Sequence, residues 1–331
     1  MTARAKVFVA DFIVESLDHE KRILGEVADV IALHAEKEAD LVGRVEGADA
    51  LMLYHTVTLG EATIRRLEHC KLIVRCGVGY DNVDVAAARR LGIPVANVPD
   101  YGTEEVADSA IGLALSLARG IHFLTGRLRE QRGPWSYAQV RPLQRLRGRG
   151  FGVVGLGRIG TAAAMRAKAL GMDVLFFDPY VPDGRDRALG IRRVETLAEL
   201  LGQSLIVSMH CPLTPETKHL INRQTLAQMA PGAFLVNTAR GGVVDVLAVL
   251  DAVTEGRLAG AGIDVLEQEP PPDDHPLVAA WRDPNHPAHD RIILNPHSAF
   301  YSEQGLLDMR TKGSENCRRV LMGGQPRNVV N

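Results

Sequence analysis

The stretch VVGLGRIG, Val153 to Gly160, decides how the rest of the chain is read. Gly155, Gly157 and Gly160 stand in the spacing GxGxxG, directly after the apolar run Phe151 to Val154. A helical segment, Thr161 to Leu170, follows, then a second apolar run, Asp173 to Phe177, closed by Asp178. Strand, glycine turn, helix, strand and acid in that order form a dinucleotide-binding fingerprint. Gly155 permits the tight turn, Gly157 lets backbone N–H groups approach a pyrophosphate, and Gly160 lets the helix pack on the strand. The helix N-terminus then holds negative charge with its unpaired N–H groups and its dipole. Asp178 lies eighteen positions after Gly160, where a carboxylate can accept hydrogen bonds from both hydroxyls of an adenosine ribose. A 2′-phosphate there would face a like charge. At ~4 Å and an effective dielectric near 20 the repulsion is about 4 kcal/mol, roughly a thousandfold. No Arg follows Asp178 directly, so the expected cofactor is NAD rather than NADP.

Outward from this turn, the chain has 331 residues, comfortable for two domains. It is 46% hydrophobic and 24% charged, an ordinary globular balance. A net charge of −2 gives no general attraction to nucleic acid or anionic membrane. Cys70, Cys76, Cys211 and Cys317 show no CxxC spacing and read as reduced thiols of a cytoplasmic protein. The N-terminal apolar run is broken by Asp11, too early for a signal-peptide core. No apolar stretch approaches the roughly eighteen residues a membrane helix needs.

The first hundred residues alternate between the two periodicities. Lys6–Ala10, Val30–Leu33, Ala50–Tyr54, Leu72–Arg75 and Pro94–Val98 read as buried strands, with helical patterns such as Glu61–Glu68 and Val83–Leu91 between them. That alternation predicts a parallel sheet covered on both faces. A whole α/β unit therefore precedes the fingerprint. Between the two, one long amphipathic helix is expected, with Thr103 as N-cap and Val106, Ala110, Leu113, Leu117, Ile121, Leu124 and Leu128 on its apolar face. Its spacing suits a domain connector, a subunit contact or a core helix equally. After Asp178, strands are expected at Ser204–Met209, Ala233–Val236, Gly260–Ile263 and Ile292–Leu294. Pro270–Asp290 reads as a long loop, and a final helix runs from about Ser302 to Leu321. The basic stretch Arg141–Arg149 reads as a solvated loop more readily than as a phosphate site.

In open parallel sheets the chemistry sits outside the carboxyl ends of the strands. Arg240 follows such a strand in FLVNTAR, where it can grip a carboxylate through two parallel hydrogen bonds. Glu269 closes IDVLEQEP, and His297 lies in LNPHSAF after the last strand. A histidine paired with a carboxylate is held in one orientation and favoured in its protonated form, which suits general acid catalysis. His69, His122, His275, His286 and His289 lack comparable positions. Asp273, Asp274, His275, His286 and His289 crowd one proline-rich loop, but that loop offers no helix or hairpin to fix tetrahedral geometry, and no metal is expected.

With these three residues following the fingerprint in order, nearly the whole chain resembles the D-isomer-specific 2-hydroxyacid dehydrogenase family. VRCGVGYDNVD at Val74–Asp84, VVGLGRIG with FFDPY, HCPLTPETKHLIN at His210–Asn222, GAFLVNTARGGVVD at Gly232–Asp245 and IDVLEQEP carry the likeness. The resemblance implies two Rossmann-like or flavodoxin-like α/β domains with parallel sheets and the cofactor cleft between them. The NAD-binding domain, 101–298, would be inserted into a substrate domain formed by 1–100 and 299–331. It also implies Arg240 as the substrate anchor, His297 as acid/base and Glu269 as its partner. Arg75, Val78, Gly79 and Phe300 would line the substrate pocket. Thr103, Arg158, Ile159, Cys211, Thr238 and Asp264 would join Gly155, Gly157, Gly160 and Asp178 at the cofactor. The expected protein is an NAD-dependent homodimer acting on a small 2-oxo or 2-hydroxy acid, with neither nucleic acid nor membrane as partner. LFFDPYVPDGRDRALGIRRV and HSAFYSEQ are most similar to the branch of the C-terminal binding proteins, which implies an alternative, an NAD(H)-sensing interaction protein. That branch's animal co-repressors carry tryptophan where this chain has Phe300, so a different pocket is expected. Formate dehydrogenases of the wider family carry Gln at the position of Glu269, which disfavours that activity. No regulatory domain is expected after the last helix, unlike many phosphoglycerate dehydrogenases.

Overall fold

Two parallel sheets organise the chain in a computed structural model that describes residues 4–331. The stretch weighed as a leader begins at Met1, and its first three residues lie outside those described. One compact unit comprises the residues up to Gly102 together with Ser302–Asn331; the other is Thr103–Tyr301.

In the first unit, β1 (Ala5–Val9), β2 (Ala28–Ala32), β3 (Ala50–Leu53), β4 (Ile73–Arg75) and β5 (Val95–Asn97) form a sheet in the order β2-β1-β3-β4-β5. All the pairings are parallel, and the order is that of flavodoxin-like folds. β3 and β4 are buried at every position, as apolar strands covered on two faces must be. The helix Glu303–Leu321 packs on β3 and β4. Gly313 permits this contact, because a Cβ there would stand 2.7 Å from Cys76 Sγ and 3.0 Å from Met52 Cε. The last residues add to the sheet's edge: Val330 N–H donates to Val95 O at 2.8 Å and Asn97 N–H to Asn328 O at 3.1 Å.

One buried ion pair ties the C-terminal helix to the N-terminal half of this unit. Arg310 donates from Nε to Glu20 Oε1 at 2.6 Å and from Nη2 to Glu20 Oε2 at 2.7 Å. Glu20 is wholly buried and Arg310 nearly so.

The second sheet contains β6 (Gly150–Val154), β7 (Asp173–Phe177), β8 (Arg192–Arg193), β9 (Ile206–Met209), β10 (Ala233–Asn237), β11 (Leu258–Ile263) and β12 (Ile292–Leu294). Its order is β12-β11-β10-β9-β6-β7-β8, parallel throughout. This is the doubly wound dinucleotide-binding order, with the switch point between β6 and β9. Alternate residues of the strands feed two cores. Phe151, Val153 and Phe176 face the helices Thr103–Ala118 and Arg158–Ala169. Val154, Leu175 and Val207 face Leu200, Val249 and Leu277.

Four expectations need correction. The helix after Gly102 does not run on to Leu128. It stops at Ala118, and a second helix, Ile121–Arg129, starts after Gly120 at φ +63°. The first part is a core helix, with Val106, Ala110, Leu113 and Leu117 buried, while Ile121 is exposed. Gly260 and Gly262 of β11 let it lie close, since a Cβ at either would meet Leu113 or Leu117. Thr103 is the first helical residue rather than a cap. The loop Pro270–Asp290 contains a helix, Pro276–Arg282, opened by a proline at its first turn. Finally, β8 was not foreseen; two arginines carry no strand pattern.

Replacing Arg310 alone strands the Glu20 carboxylate in the core. Arg310→Met should destabilise the first unit by about 3–5 kcal/mol. The double change Glu20→Leu with Arg310→Met should cost much less. Denaturant-dependent hydrogen exchange of Leu51–Leu53 measures both; equal losses would contradict this account.

Candidate functional site

The glycine turn links β6 to the helix Arg158–Ala169, and its three glycines are there for different reasons. Gly155 has φ +92°, and a Cβ there would lie 2.7 Å from Cys211 N. A Cβ on Gly160 would lie 2.0 Å from Gly155 O. Both are fixed by the protein's own backbone. Gly157 is different: its φ is −72° and a Cβ would meet nothing within 4 Å. Neither folding nor packing requires glycine there. What its bareness preserves is open space over the start of a twelve-residue helix, of which Gly157 is itself the N-cap. That is where a pyrophosphate would need room.

The carboxyl ends of the neighbouring strands complete this surface. Asp178 follows β7. Its Oδ2 accepts Leu156 N–H at 2.8 Å, and its Oδ1 accepts Tyr180 N–H at 2.9 Å. The acid therefore clips the glycine turn to β7. A carboxylate offers about four lone-pair directions, so each oxygen keeps capacity for a ribose hydroxyl. Cys211 follows β9 and is buried, which pushes its thiol up to about 11. It offers a neutral surface rather than a thiolate. Thr238 follows β10, and its Oγ1 is buried without a hydrogen-bond partner in the protein. Such an orphaned hydroxyl calls for an external partner. With the space over Gly157, it shows that the residues present fit a dinucleotide.

Arg240, Glu269 and His297 emerge from the adjacent strands β10, β11 and β12. The Arg240 turn is built by Asn237, a buried residue whose Oδ1 accepts Ala239 N–H at 3.0 Å and whose Nδ2 donates to Arg240 O at 2.9 Å. Gly241 presses this turn on the next loop: a Cβ there would stand 1.9 Å from the Leu266 carbonyl carbon. Leu266 in turn positions the acid, its N–H donating to Glu269 Oε1 at 2.7 Å. The other oxygen, Oε2, lies 2.6 Å from His297 Nδ1. His297 adopts φ +51°, uncommon for a residue with a side chain. Its N–H donates to Asp264 O at 2.7 Å. The ring of Phe300 meets that of His297 edge-on, 6.0 Å between centroids.

Asp264 gives this loop its shape. Its carboxylate, almost fully buried, accepts Ser298 N–H at 2.9 Å and Ala299 N–H at 3.0 Å. Burial raises its pKa, and the two N–H bonds and the nearby His297 pull it back. The family resemblance implies Asp264 at the cofactor; the structure makes it the anchor of the His297 loop. Asn237 was missed altogether. Its signal was an asparagine at a strand end, a residue able to bond its own turn.

In the first unit, Arg75 ends β4 and is buried. Its Nε donates to Asn82 Oδ1 at 3.3 Å, and its Nη1 to Cys76 O at 3.4 Å. Val78 and Gly79 follow in the same loop, held by Asn97 Nδ2 donating to Val78 O at 2.7 Å. The proline-rich loop of the second unit has local tasks. His289 Nδ1 bonds Trp281 O at 2.6 Å, and His286 Nδ1 accepts Ala288 N–H at 3.1 Å. Among the described residues no group of three His, Cys, Asp or Glu is arranged to hold a metal ion, and no helix is long and apolar enough to cross a membrane.

Residues 111–299 match the family model for the NAD binding domain of D-isomer specific 2-hydroxyacid dehydrogenases. The chain is 36% identical over 310 residues to D-3-phosphoglycerate dehydrogenase of Methanocaldococcus jannaschii, covering 94% of this chain and 57% of that protein. It is 34% identical over 318 residues to C-terminal-binding protein 1 of Caenorhabditis elegans, covering 94% of this chain and 42% of that protein. The chain thus spans about half the length of these curated relatives. Among solved structures, the TT0316 protein of Thermus thermophilus superposes with a TM-score of 0.84 at 34% identity, covering 98% of this chain and all of that one.

The contrast between the glycines is testable. Gly160→Ala should lower stability by about 1–3 kcal/mol, because backbone stands where its methyl must go. Gly157→Leu should leave the melting temperature near wild type and weaken NADH binding roughly tenfold or more. Equal effects of the two changes on stability would overturn the assignment.

Proposed function

Since the chain belongs to the D-isomer specific 2-hydroxyacid dehydrogenase family, with NAD as its cofactor, we propose that it is a dehydrogenase interconverting a small 2-hydroxy acid and the corresponding 2-oxo acid. The observation that carries this reading is the 2.6 Å contact between His297 Nδ1 and Glu269 Oε2, with Arg240 in the turn after β10, the strand that neighbours β11 in the sheet. The cofactor, when bound, supplies or takes up the hydride at the carbon bearing the oxygen. Arg240 holds the substrate carboxylate and polarises the 2-oxo group through charged hydrogen bonds, roughly 1.5–3 kcal/mol each. Glu269 occupies Nδ1 of the ring, so the proton exchanged with the substrate oxygen is carried on Nε2. In the reductive direction His297 gives that proton up, and the neighbouring carboxylate holds the ring in one orientation for the transfer. Gly155, Gly157, Gly160, Arg158 and Ile159 form the bed for the pyrophosphate, Asp178 takes the ribose, and Thr103, Cys211, Thr238 and Asp264 contact the rest of the cofactor. Arg75, Val78, Gly79 and Phe300 recognise the acid.

A homodimer in the cytoplasm completes this reading. Trp135 and Tyr137, 90% and 71% exposed, offer aromatic surface for a second copy, and the four unpaired cysteines suit a reducing compartment. The likeness to C-terminal-binding protein 1 favours a second role, NAD(H)-dependent binding of a protein partner. The catalytic set argues that any such role accompanies turnover.

NADH oxidation assayed over glyoxylate, pyruvate, hydroxypyruvate, phenylpyruvate and 4-methylthio-2-oxobutyrate tests the proposal. Tight NADH binding with no turnover of any 2-oxo acid would leave the interaction role. His297→Ala should cut turnover about a hundredfold or more with NADH affinity nearly intact; normal turnover would remove His297 from the mechanism. Asp178→Asn keeps an acceptor for the glycine turn but removes the charge. It should narrow the preference for NADH over NADPH about tenfold or more. An unchanged ratio would refute the ribose assignment.

A further inference from the structure

A second histidine and carboxylate pair lies across the Arg240 turn: His219 Nε2 stands 3.0 Å from Glu267 Oε1. His219 adopts φ +47°, uncommon for a residue with a side chain. Strain of this kind persists where the surroundings enforce it and often marks a working side chain. Here two bonds enforce it. His219 N–H donates to Gly242 O at 2.8 Å, and His219 O accepts Asn222 Nδ2 at 2.9 Å. Two residues on, Ile221 N–H donates to Val243 O at 3.1 Å. The Arg240 turn is therefore gripped by two segments. The stretch His210–Asn222 holds it through the Gly242 and Val243 carbonyls. The loop carrying Glu269 holds it at Gly241, where a Cβ would stand 2.3 Å from Glu267 N. Gly242 lies within this grip: a Cβ there would stand 3.1 Å from Leu213 Cδ2 and 3.8 Å from Glu267 Cγ. The His219–Glu267 bond joins the two segments directly. Its side chains are 38% and 48% exposed, and exposed pairs add little stability. Stability therefore does not account for a strained histidine at this place.

We propose that His219 and Glu267 are a positioning pair for the reaction. They fix the Arg240 turn and the Glu269 loop relative to each other, so that a substrate held by Arg240 meets the proton of His297 in register. The inference rests on the dehydrogenase reading. Both residues act through Arg240 and Glu269 rather than on the reacting atoms. The link to Glu269 is short: Leu266, next to Glu267, donates its N–H to Glu269 Oε1 at 2.7 Å. The pair needs only a hydrogen on Nε2 of His219, so it forms with the ring neutral or charged. Without it the two segments can shift, and small misplacements of reacting groups cost rate out of proportion to stability.

The test measures kcat, KM and NADH affinity in the full chain, with whichever 2-oxo acid of the screen turns over fastest. His219→Gly takes the local φ without strain and removes only the ring; Glu267→Ala removes its partner. Each should lower kcat about three- to tenfold. The melting temperature should stay near wild type, with KM and NADH affinity within about twofold. The double variant should be no slower than the slower single one, because the two groups act as one bond. His219→Gln places an amide N–H near the position of Nε2 and should recover most of the rate. A kcat within about twofold of wild type, additive losses, or a loss that tracks a fall in melting temperature overturns the pair. If wild type turns over none of the acids, the dehydrogenase reading fails instead. Amide exchange at Leu266, read by NMR, then decides the pair by itself. Exchange faster by about threefold or more in both single variants supports it, and unchanged exchange overturns it.

Discussion

The candidate catalytic loop depends on one buried carboxylate. Asp264 stands where β11 ends, and it takes the N–H groups of Ser298 and Ala299 while its carbonyl takes that of His297. These bonds impose a backbone on His297 that a free chain would rarely adopt. They also hold the ring where a second carboxylate, Glu269, can reach it. A buried charge is costly unless it is hydrogen-bonded. Here that cost enforces the geometry, because no arrangement of the loop that leaves Asp264 unpaired is acceptable.

The same device recurs around both sheets. Asp178 fixes the glycine turn to β7, Asn237 folds the Arg240 turn on itself, and Asp11 locks two loops of the first unit together. In each case a short polar side chain at the carboxyl end of a parallel strand satisfies backbone N–H groups that the loop would otherwise leave unpaired. Parallel strands supply a rigid row of such ends, so small loops can hold side chains in fixed geometry. The glycines complement these anchors. Gly155, Gly160 and Gly241 mark places where two backbones touch.

Much of this was legible beforehand. The strands announce themselves as short apolar runs, because both faces of a parallel sheet are covered. The glycine spacing and Asp178 locate the switch point, and strand-end positions single out Arg240, Glu269 and His297. The failures have equally physical causes. The apolar spacing from Val106 to Leu128 is continuous, yet Gly120 breaks the helix, because periodicity cannot report where the chain leaves a core. Pro270–Asp290 hides a helix behind its prolines, one of which opens it. β8 is a strand only because β7 offers it an edge.

What the sequence by itself determined is local and periodic: the cofactor motif, the order of strands and helices, and the residue types at strand ends. Those features depend on neighbours in the chain, so spacing carries them. What the tertiary structure decided is which distant groups share a hydrogen bond. That Asp264 shapes the His297 loop, that Gly157 guards open space while Gly160 meets backbone, and that His219 reaches Glu267 depend on groups brought together only by the sheets. No spacing rule encodes such contacts, because they follow from the satisfaction of buried polar groups in three dimensions.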